Sequence, residues 1–263
     1  MKTLYFDLGM GAAGDMLTGA LLELMPDREA ALEQLNRLGL PHTQFSMEQG
    51  SKCGISGTHI HVTVLGQEEQ PCQDVPQQEP HHEHDHSHGQ EHHHRHTAMA
   101  DIRQAVQALS VSDAVKARVL EVYARIAQAE SQVHGVSVSE IHFHEVGTLD
   151  ALADITAVCY LLEQLSPERI VASPVQVGFG KIRCAHGILP VPAPATAQIL
   201  LGVPIRAGDI PGELCTPTGA ALLRQFVSDF GPMPLMTVER IGYGLGQKDF
   251  PAANCLRAML GEG

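Results

Sequence analysis

The sequence lacks several features that mark whole classes of protein. It has no tryptophan, only 4% aromatic residues, and 17 basic against 30 acidic residues, which gives a formal net charge of −13. Such a charge opposes binding to nucleic acid or to an anionic membrane surface. No apolar run reaches the roughly 20 residues that cross a bilayer, and Met1 and Lys2 lead into an apolar strand rather than a signal peptide. We therefore expect a cytoplasmic protein with neither a nucleic-acid nor a membrane partner.

Cysteine is present but unpatterned. The six cysteines are scattered and none forms a CxxC pair, which argues against a zinc ribbon or a disulfide framework and favours reduced thiols. A hydrophobic content of 44% over 263 residues is enough for a substantial core. Composition therefore predicts an ordinary globular α/β protein.

The hydrophobic pattern alternates between strand and helix periods along most of the chain. We expect strands at 3–8, 44–48, 58–65, 169–177, 235–243 and 253–260, and helices at 15–24, 28–38, 97–109, 112–133, 149–165, 192–201 and 216–230. Residues 178–194 read as loop-rich. This order predicts an α/β (α+β) fold, a mixed sheet with packed helices.

Residues 66–97 interrupt that pattern with a His-rich insert that we expect to be disordered, because it holds too few aliphatic residues to offset its ordering entropy. The expected organisation is an N-terminal α/β segment at 1–65, the insert, and a main α/β segment at 98–263 that forms one compact domain with 1–65. Nine imidazoles in the insert suit nickel, copper or zinc better than magnesium or calcium, although a solvated spacer is the alternative. They are His81, His82, His84, His86, His88, His92, His93, His94 and His96.

The stretch 142–154 carries the densest set of reactive groups. If residues 141–146 are extended, His142 and His144 point to the same face. If a helix follows from Thr148, Asp150 and Asp154 are four apart and share one side of it. Two imidazoles and two carboxylates would then suit a divalent metal of borderline softness. In the alternative interpretation, Thr148 is a helix cap, Asp150 complements the helix dipole, and the histidines form a polar face.

The loop 9–14 matches GxGxxG between a strand and a helix, the pattern of dinucleotide-binding folds. The acidic residue expected about twenty residues later is missing. Asp7 and Asp15 flank the loop and would repel a pyrophosphate unless a metal bridged them. A mononucleotide phosphate, alone or with Mg²⁺, is the more plausible ligand, and glycines that serve only a tight turn and close packing remain the alternative.

A second candidate anion site lies at 213–221, where Thr216 and Thr218 stand at the start of a helix. Backbone N–H groups and the positive end of the helix dipole favour an anion there. Alternatively, Thr216 is only an N-cap and Pro217 the first helical residue. His186 lies in the rigid, proline-rich loop that precedes this region.

Taken together, three stretches resemble the LarC family of nickel insertion proteins: residues 5–7 with 11–16, residues 142–154, and residues 186–194 with 215–221. The resemblance implies a chelatase-type lyase reaction that places Ni²⁺ into pyridinium bisthiocarboxylic acid mononucleotide and so makes the nickel-pincer cofactor of lactate racemase. It also implies CTP hydrolysis, with Mg²⁺ or Mn²⁺, in a C-terminal LarC domain. We expect this chain to be the N-terminal portion, without that domain.

The resemblance also implies roles for individual residues. The metal would be held by His142, His144, Asp150, Asp154 and Asp7, with the His-rich tract as a reservoir. Acid–base chemistry would fall to Glu145, His144 and His186. The phosphorylated substrate would be bound by Gly11, Gly14, Asp15, Thr216, Thr218 and Gly219.

Two other functions are consistent with parts of the sequence. A non-catalytic nickel storage protein or metallochaperone would explain the His-rich tract but leave 142–154 and 213–221 without a role. A dinucleotide enzyme would rest on residues 9–14 alone. Whether the chain forms a homo-oligomer is left open.

Overall fold

The computed structural model describes residues 1–68, 72–75, 97–143, 148–184 and 187–263. Seven α-helices lie in these ranges: α1 Gly14–Glu23, α2 Arg28–Leu35, α3 Met99–Ala108, α4 Asp113–His134, α5 Leu149–Leu165, α6 Pro194–Ile199 and α7 Pro217–Phe226. A short 3₁₀ turn covers Val138–Glu140. None of these helices is long and apolar enough to span a bilayer.

The strands of the described ranges belong to one large sheet and three smaller ones. They are β1 Lys2–Asp7, β2 Thr43–Lys52, β3 Ile55–Val64, β4 Gln67–Glu68, β5 Gln73–Asp74, β6 Thr97–Ala98, β7 His142–Phe143, β8 Arg169–Ala172, β9 Val175–Gln176, β10 Gly178–Cys184, β11 Gly187–Val191, β12 Ile205–Arg206, β13 Gly212–Glu213, β14 Asp229–Phe230, β15 Thr237–Leu245 and β16 Cys255–Glu262.

The large sheet has the order β14-β8-β1-β16-β15-β3-β2, with β4 paired to β3. The strand β1 runs parallel to β8 and antiparallel to β16, and β15 runs parallel to β3. The sheet is therefore mixed, as the sequence predicted. Strands from before and after the insert are mixed within it, because β1 lies between β8 and β16 and β15 lies between β16 and β3.

Helices α1 and α5 cover one face of this sheet, and α4 and α7 pack against α5. The helix α1 packs against β15, β3 and α5, and α4 packs against α5, α6 and α7. Most apolar residues of α1 and α5 are buried, including Leu17, Leu21, Ile155 and Leu162. Both helices are sandwiched between the sheet and other helices, which explains why apolar residues occur around most of their circumference.

Several helix ends follow from local capping. The side chain of Ser112 accepts a hydrogen bond from the backbone N–H of Val115 at the start of α4, and Thr148 does the same for Ala151 at the start of α5. Gly135 ends α4 in the left-handed conformation. The predicted bounds of α5 are confirmed at both ends, because its cap and its apolar pattern agree.

Several expectations from the sequence were wrong in part. The helices expected at 97–109 and 216–230 are shorter, because residues 97–98 form β6 and residues 229–230 form β14. Residues 178–194 are not mainly loop, because β10 and β11 form an antiparallel pair from Gly180 opposite Val191 to Cys184 opposite Gly187. Disorder does not extend over the whole of 66–97, because β4 and β5 are strands paired to β3 and β10. The His-rich tract itself lies within 76–96, outside the described residues.

Candidate functional site

One cavity of about 630 Å³ brings together three helix starts that are far apart in the sequence. The first turn of α1 contributes Gly14 and Asp15, and α5 contributes Asp150 and Asp154. The start of α7 supplies the third part of the wall. Six of the residues predicted to bind metal or substrate therefore share one cavity: Gly14, Asp15, Asp150, Asp154, Thr216 and Thr218.

The loop before α1 is joined directly to the segment before α7. The backbone N–H of Ala12 donates to the carbonyl oxygen of Leu214 at 3.0 Å, and the N–H of Thr216 donates to the carbonyl oxygen of Ala12 at 3.0 Å. A Cβ on Gly11 would lie 1.9 Å from the Leu214 oxygen, and one on Gly219 would lie 2.2 Å from the Ala12 oxygen. These two glycines permit the close approach of the two segments, and neither lines the cavity.

Gly14 has a different role, because it makes room for a carboxylate. A Cβ at this position would lie 2.3 Å from Oδ2 of Asp154. Asp154 is buried, while Asp150, one turn earlier on α5, is half-buried. Both line the cavity, so the predicted common face of these two aspartates is confirmed.

Asp15 carries a strongly perturbed carboxyl group on the cavity wall. Its Oδ1 accepts a hydrogen bond from the backbone N–H of Met16 at 2.8 Å. Burial, with a smaller contribution from the negative charge of Glu68, raises the pKa of Asp15 to about 6. A carboxyl group with this pKa can take up or release a proton close to neutral pH, which suits either metal binding or acid–base chemistry.

The start of α7 is uncharged and well capped. The hydroxyl oxygen of Thr216 accepts a hydrogen bond from the backbone N–H of Gly219 at 3.2 Å, and Pro217 is the first helical residue. No acidic residue lies in the first turn. The capping interpretation of Thr216 is thus correct, and Thr218 still faces the cavity from a helix end that favours an anion.

The cavity also contains residues that the sequence analysis did not select. The main ones are Cys72 and Gln73 with β5, Arg183 and Cys184 at the end of β10, and Lys248. The Nζ of Lys248 lies 2.9 Å from Oδ1 of Asp74. Arg183 and Cys184 immediately precede the loop of His186, so a wider reading of that loop would have found them. Cys72 and Lys248 carry no local signal.

Within the stretch 142–154, the strand β7 lies close to the aspartates of α5. Phe143 is buried, as predicted, and its ring meets that of Tyr123 edge to face at a centroid distance of 5.8 Å. Burial raises the pKa of the Tyr123 hydroxyl, and the charges of Asp154 and Asp150 raise it further. The contact between Phe143 and Tyr123 therefore places β7 beside the part of α5 that lines the cavity.

Other predicted residues lie outside the described part of the chain or away from the cavity wall. His144, Glu145 and His186 lie outside the described residues, and His142 is described only as the backbone partner of Ala98 in the β6–β7 pair. Asp7 is described, but it is ion-paired with Arg257 at 2.5 Å and does not line the cavity. Within the described ranges, no three His, Cys, Asp or Glu side chains are arranged to hold a metal ion.

Comparison with known proteins decides the family. The profile of the family described as "Nickel insertion protein" matches residues 4–263. This chain belongs to that family. The resemblance to nickel insertion proteins is thereby confirmed over nearly the whole sequence.

Curated relatives support the same assignment. Proteins named "Pyridinium-3,5-bisthiocarboxylic acid mononucleotide nickel insertion protein" from Desulfitobacterium hafniense (strain DSM 10664 / DCB-2) and Clostridium kluyveri are each 40% identical to this chain, over 262 and 267 residues. One from Geobacillus kaustophilus is 38% identical over 263 residues. These matches cover 100% of the chain but only 59%, 62% and 60% of the three relatives. The chain thus spans about three fifths of their length. No solved structure matches.

Proposed function

We propose that this chain carries the metal- and substrate-handling part of a nickel insertase, which places Ni²⁺ into pyridinium bisthiocarboxylic acid mononucleotide. The observation that supports this most directly is the convergence of three helix starts on one cavity of about 630 Å³. Two of those starts bring aspartates and the third brings none. A cavity that holds both carboxylates and an anion-accepting helix start suits a substrate that carries a phosphate and receives a metal cation.

The carboxylates of the cavity wall would receive the metal. Asp15, Asp150 and Asp154 attract a divalent cation, and the neutral imidazoles of His142 and His144 would complete its coordination. Asp150 or Asp154 could instead orient a histidine ring by accepting its second N–H. Nitrogen and oxygen ligands would hold Ni²⁺ less firmly than thiocarboxylate sulfur, so the metal can pass to the substrate.

The start of α7 would bind the phosphate. The first-turn N–H groups of α7, the hydroxyl of Thr218 and the side chains of Arg183 and Lys248 are the anion-accepting groups of the cavity wall. Gly14 would contribute through the first turn of α1, although Asp15 makes that turn less favourable for an anion. The phosphate would therefore lie nearer to α7 than to α1.

Metal insertion also requires a base. A nickel–carbon bond forms as the carbon–hydrogen bond of the pyridinium ring breaks, and the proton passes to a protein group. Glu145, His144 and His186 are our candidates, because glutamate and histidine can both accept a proton near neutral pH when suitably placed. Two nickel–sulfur bonds to the thiocarboxylates complete the product. The reaction is thus of the chelatase type, which belongs to the lyases because its reverse would release the metal.

We place the CTP-dependent step, with Mg²⁺ or Mn²⁺, in the part of the relatives that this chain does not span. In that arrangement, the C-terminal LarC domain is a partner of this chain.

The decisive experiment replaces both histidines of the predicted metal site. The variant H142A/H144A should lose formation of the nickel-bound nucleotide in a reaction containing Ni²⁺, substrate, CTP and the C-terminal LarC domain, with product measured by mass spectrometry. The matched control H42A/H134A removes two exposed histidines and should retain it. Normal product formation by H142A/H144A would eliminate this site.

Nickel storage without catalysis is the second candidate, supported by the His-rich tract alone. Deletion of residues 80–96 separates the two functions. A storage protein would lose its function, whereas an insertase supplied with excess Ni²⁺ should keep forming product and lose only recruitment at low metal concentration.

A further inference from the structure

Two cysteines lie on the wall of the cavity. Cys72 directly precedes β5, and Cys184 is the last residue of β10. Both are half-buried and both line the cavity. All six cysteines of the chain fall in the described residues, and none of them is in a disulfide.

The strand pairing places these two cysteines opposite each other. β5 and β10 are antiparallel, with Ile182 opposite Asp74 and Arg183 opposite Gln73. Continuing this register by one residue puts Cys184 opposite Cys72. Direct cross-strand neighbours on antiparallel strands have Cβ atoms about 4.5–5.5 Å apart.

The hydrogen bonds of the ladder show which kind of pair this is. The backbone N–H of Val75 donates to the carbonyl oxygen of Lys181 at 2.9 Å, so these two residues form a hydrogen-bonded pair. Hydrogen-bonded and non-hydrogen-bonded pairs alternate along an antiparallel ladder. The Cys72–Cys184 position, three steps further, is therefore non-hydrogen-bonded, the type with the shorter Cα separation of about 4.5 Å and the closer side chains.

Such a separation suits two sulfur atoms that share one metal ion. With metal–sulfur bonds of about 2.3 Å, two thiolates on one tetrahedral ion lie about 4 Å apart. The remaining cysteines are differently placed. Cys159 and Cys215 are fully buried, and burial raises the pKa of both thiols. Cys53 and Cys255 do not line the cavity. Only Cys72 and Cys184 are both adjacent and open to a cavity that contains carboxylates.

We propose that Cys72 and Cys184 form a two-sulfur site for a soft divalent metal ion on the cavity wall. That the ion is Ni²⁺ on its way to the substrate rests on the proposed function, whereas the two-sulfur site does not. On binding, each thiol gives its proton to water and forms one metal–sulfur bond. On transfer, each of those bonds is exchanged for a bond to thiocarboxylate sulfur, and each cysteine sulfur takes a proton back from water. No electrons are transferred.

Exchange between two kinds of sulfur ligand gives this site a specific advantage. Thiolate and thiocarboxylate sulfur are both soft donors, so the metal moves between ligands of similar affinity. Without the cysteine pair, the metal would have to pass directly from imidazole nitrogen to thiocarboxylate sulfur. The cysteine pair would therefore act between the carboxylate and imidazole groups that gather the metal and the sulfur atoms that finally hold it.

The test uses the full chain with Ni²⁺ alone, in the presence of a phosphine reductant. We expect sulfur-to-nickel charge-transfer absorption in the near ultraviolet, which histidine ligands do not produce, and protection of Cys72 and Cys184 from alkylation, read by peptide mass spectrometry. C72S and C184S should each lose about half of the absorption or more, and the double variant should lose it all, because serine is a poor ligand for a soft metal. The control C53S, which changes an exposed cysteine, should keep it.

Absorption that persists in C72S/C184S, or equal alkylation of both cysteines with and without Ni²⁺, would overturn the proposal. Failure of the proposed function gives a different result, since the Ni²⁺-dependent absorption would be present while no substrate is metallated. If insertion occurs, C72S/C184S should slow it at least about tenfold at limiting Ni²⁺. An unchanged rate there would contradict the transfer role while leaving insertion itself intact.

Discussion

The starts of α1 and α7 show how two similar helix ends acquire opposite electrostatic character. They lie side by side, because the Ala12 and Leu214–Thr216 backbones are hydrogen-bonded to each other. At α7, the Thr216 side chain caps the helix and no acid follows. At α1, Ala13 occupies the cap position without a side-chain hydrogen bond, and Asp15 lies in the first turn. We propose that one end binds an anion and that the other supplies a cation ligand.

The start of α5 combines the two arrangements. Thr148 caps it as Thr216 caps α7, whereas Asp150 and Asp154 bring the negative charge that Asp15 brings to α1. A side-chain cap thus does not determine which ion a helix end can bind. The charges in the first two turns determine it. Variants at each helix start should separate the contributions of packing, charge and capping.

The largest effect should follow from filling the space between α1 and α5. In Gly14→Ala, the added methyl group would meet the Asp154 carboxylate, so α1 or Asp154 must move. We expect a loss of about 1–3 kcal/mol in the free energy of unfolding, the usual cost of overpacking, and at least about a tenfold loss of the proposed nickel insertion from the displaced carboxylate. Urea unfolding and product formation measure the two effects.

Gly231→Ala is the matched control, because nothing lies within 4 Å of a Cβ at Gly231. Gly14 does not have a positive φ, so backbone strain does not enter the comparison. If the Gly14 variant is as stable and active as this control, the close contact with Asp154 has no consequence.

A second variant removes charge from the start of α1. The pKa of Asp15 is raised in the folded protein to about 6 from 3.8, so the folded state holds this proton more tightly than the unfolded state. The stability gained from the neutral carboxyl is fully present below about pH 3.8 and is lost as pH rises through about 6. Asp15→Asn should therefore stabilise the protein at pH 8 by about 1–3 kcal/mol, while weakening metal binding.

The measurement is the difference in unfolding free energy between Asp15→Asn and wild type from pH 4 to 8. The difference should grow with pH. Asp113→Asn, which changes an exposed first-turn acid of α4, serves as the control and should show no such growth. A constant difference for Asp15→Asn would show that its carboxyl is not perturbed.

A smaller effect is expected at the start of α7. Thr216→Ala removes the hydrogen bond to the Gly219 N–H and should cost about 1 kcal/mol of unfolding free energy. Thr216→Ser keeps the hydroxyl and should recover most of that loss. If serine and alanine are equally destabilising in denaturant titrations, the cap hydrogen bond contributes little and the comparison with α1 loses its basis.

The smallest effect is expected for Tyr123, a buried residue of α4. The Tyr123 hydroxyl is fully buried and has no hydrogen-bond partner in the described part of the chain. Tyr123→Phe keeps the ring contact with Phe143 and removes a polar atom whose burial is uncompensated, so we expect a stability within about 1 kcal/mol of wild type or slightly above it. Thermal unfolding measures this. A loss larger than that would reveal a partner for the hydroxyl.

Helices and their caps were largely predictable because the signals are local. The apolar period, the Thr148 cap and the spacing of Asp150 and Asp154 determine α5 and its cavity-facing side without reference to the rest of the chain. The mixed sheet was predictable as a class but not in its order. The β10–β11 pair was missed, because glycine and proline at 178–194 imitate a loop when no pairing partner is visible.

The same distinction between local patterns and long-range contacts applies to the cavity. Short-range patterns are enough to place aspartates and threonines at helix starts, since a helix repeats every few residues and its ends need caps. They do not show that α1, α5 and α7 begin at one place. Backbone hydrogen bonds between segments some two hundred residues apart join the starts of α1 and α7. Pairing of β5 with β10 across more than one hundred residues likewise brings Gln73 opposite Arg183, next to Cys72 and Cys184. Such contacts arise only when the sheet and its helices bury their apolar faces together, and no local sequence pattern encodes them.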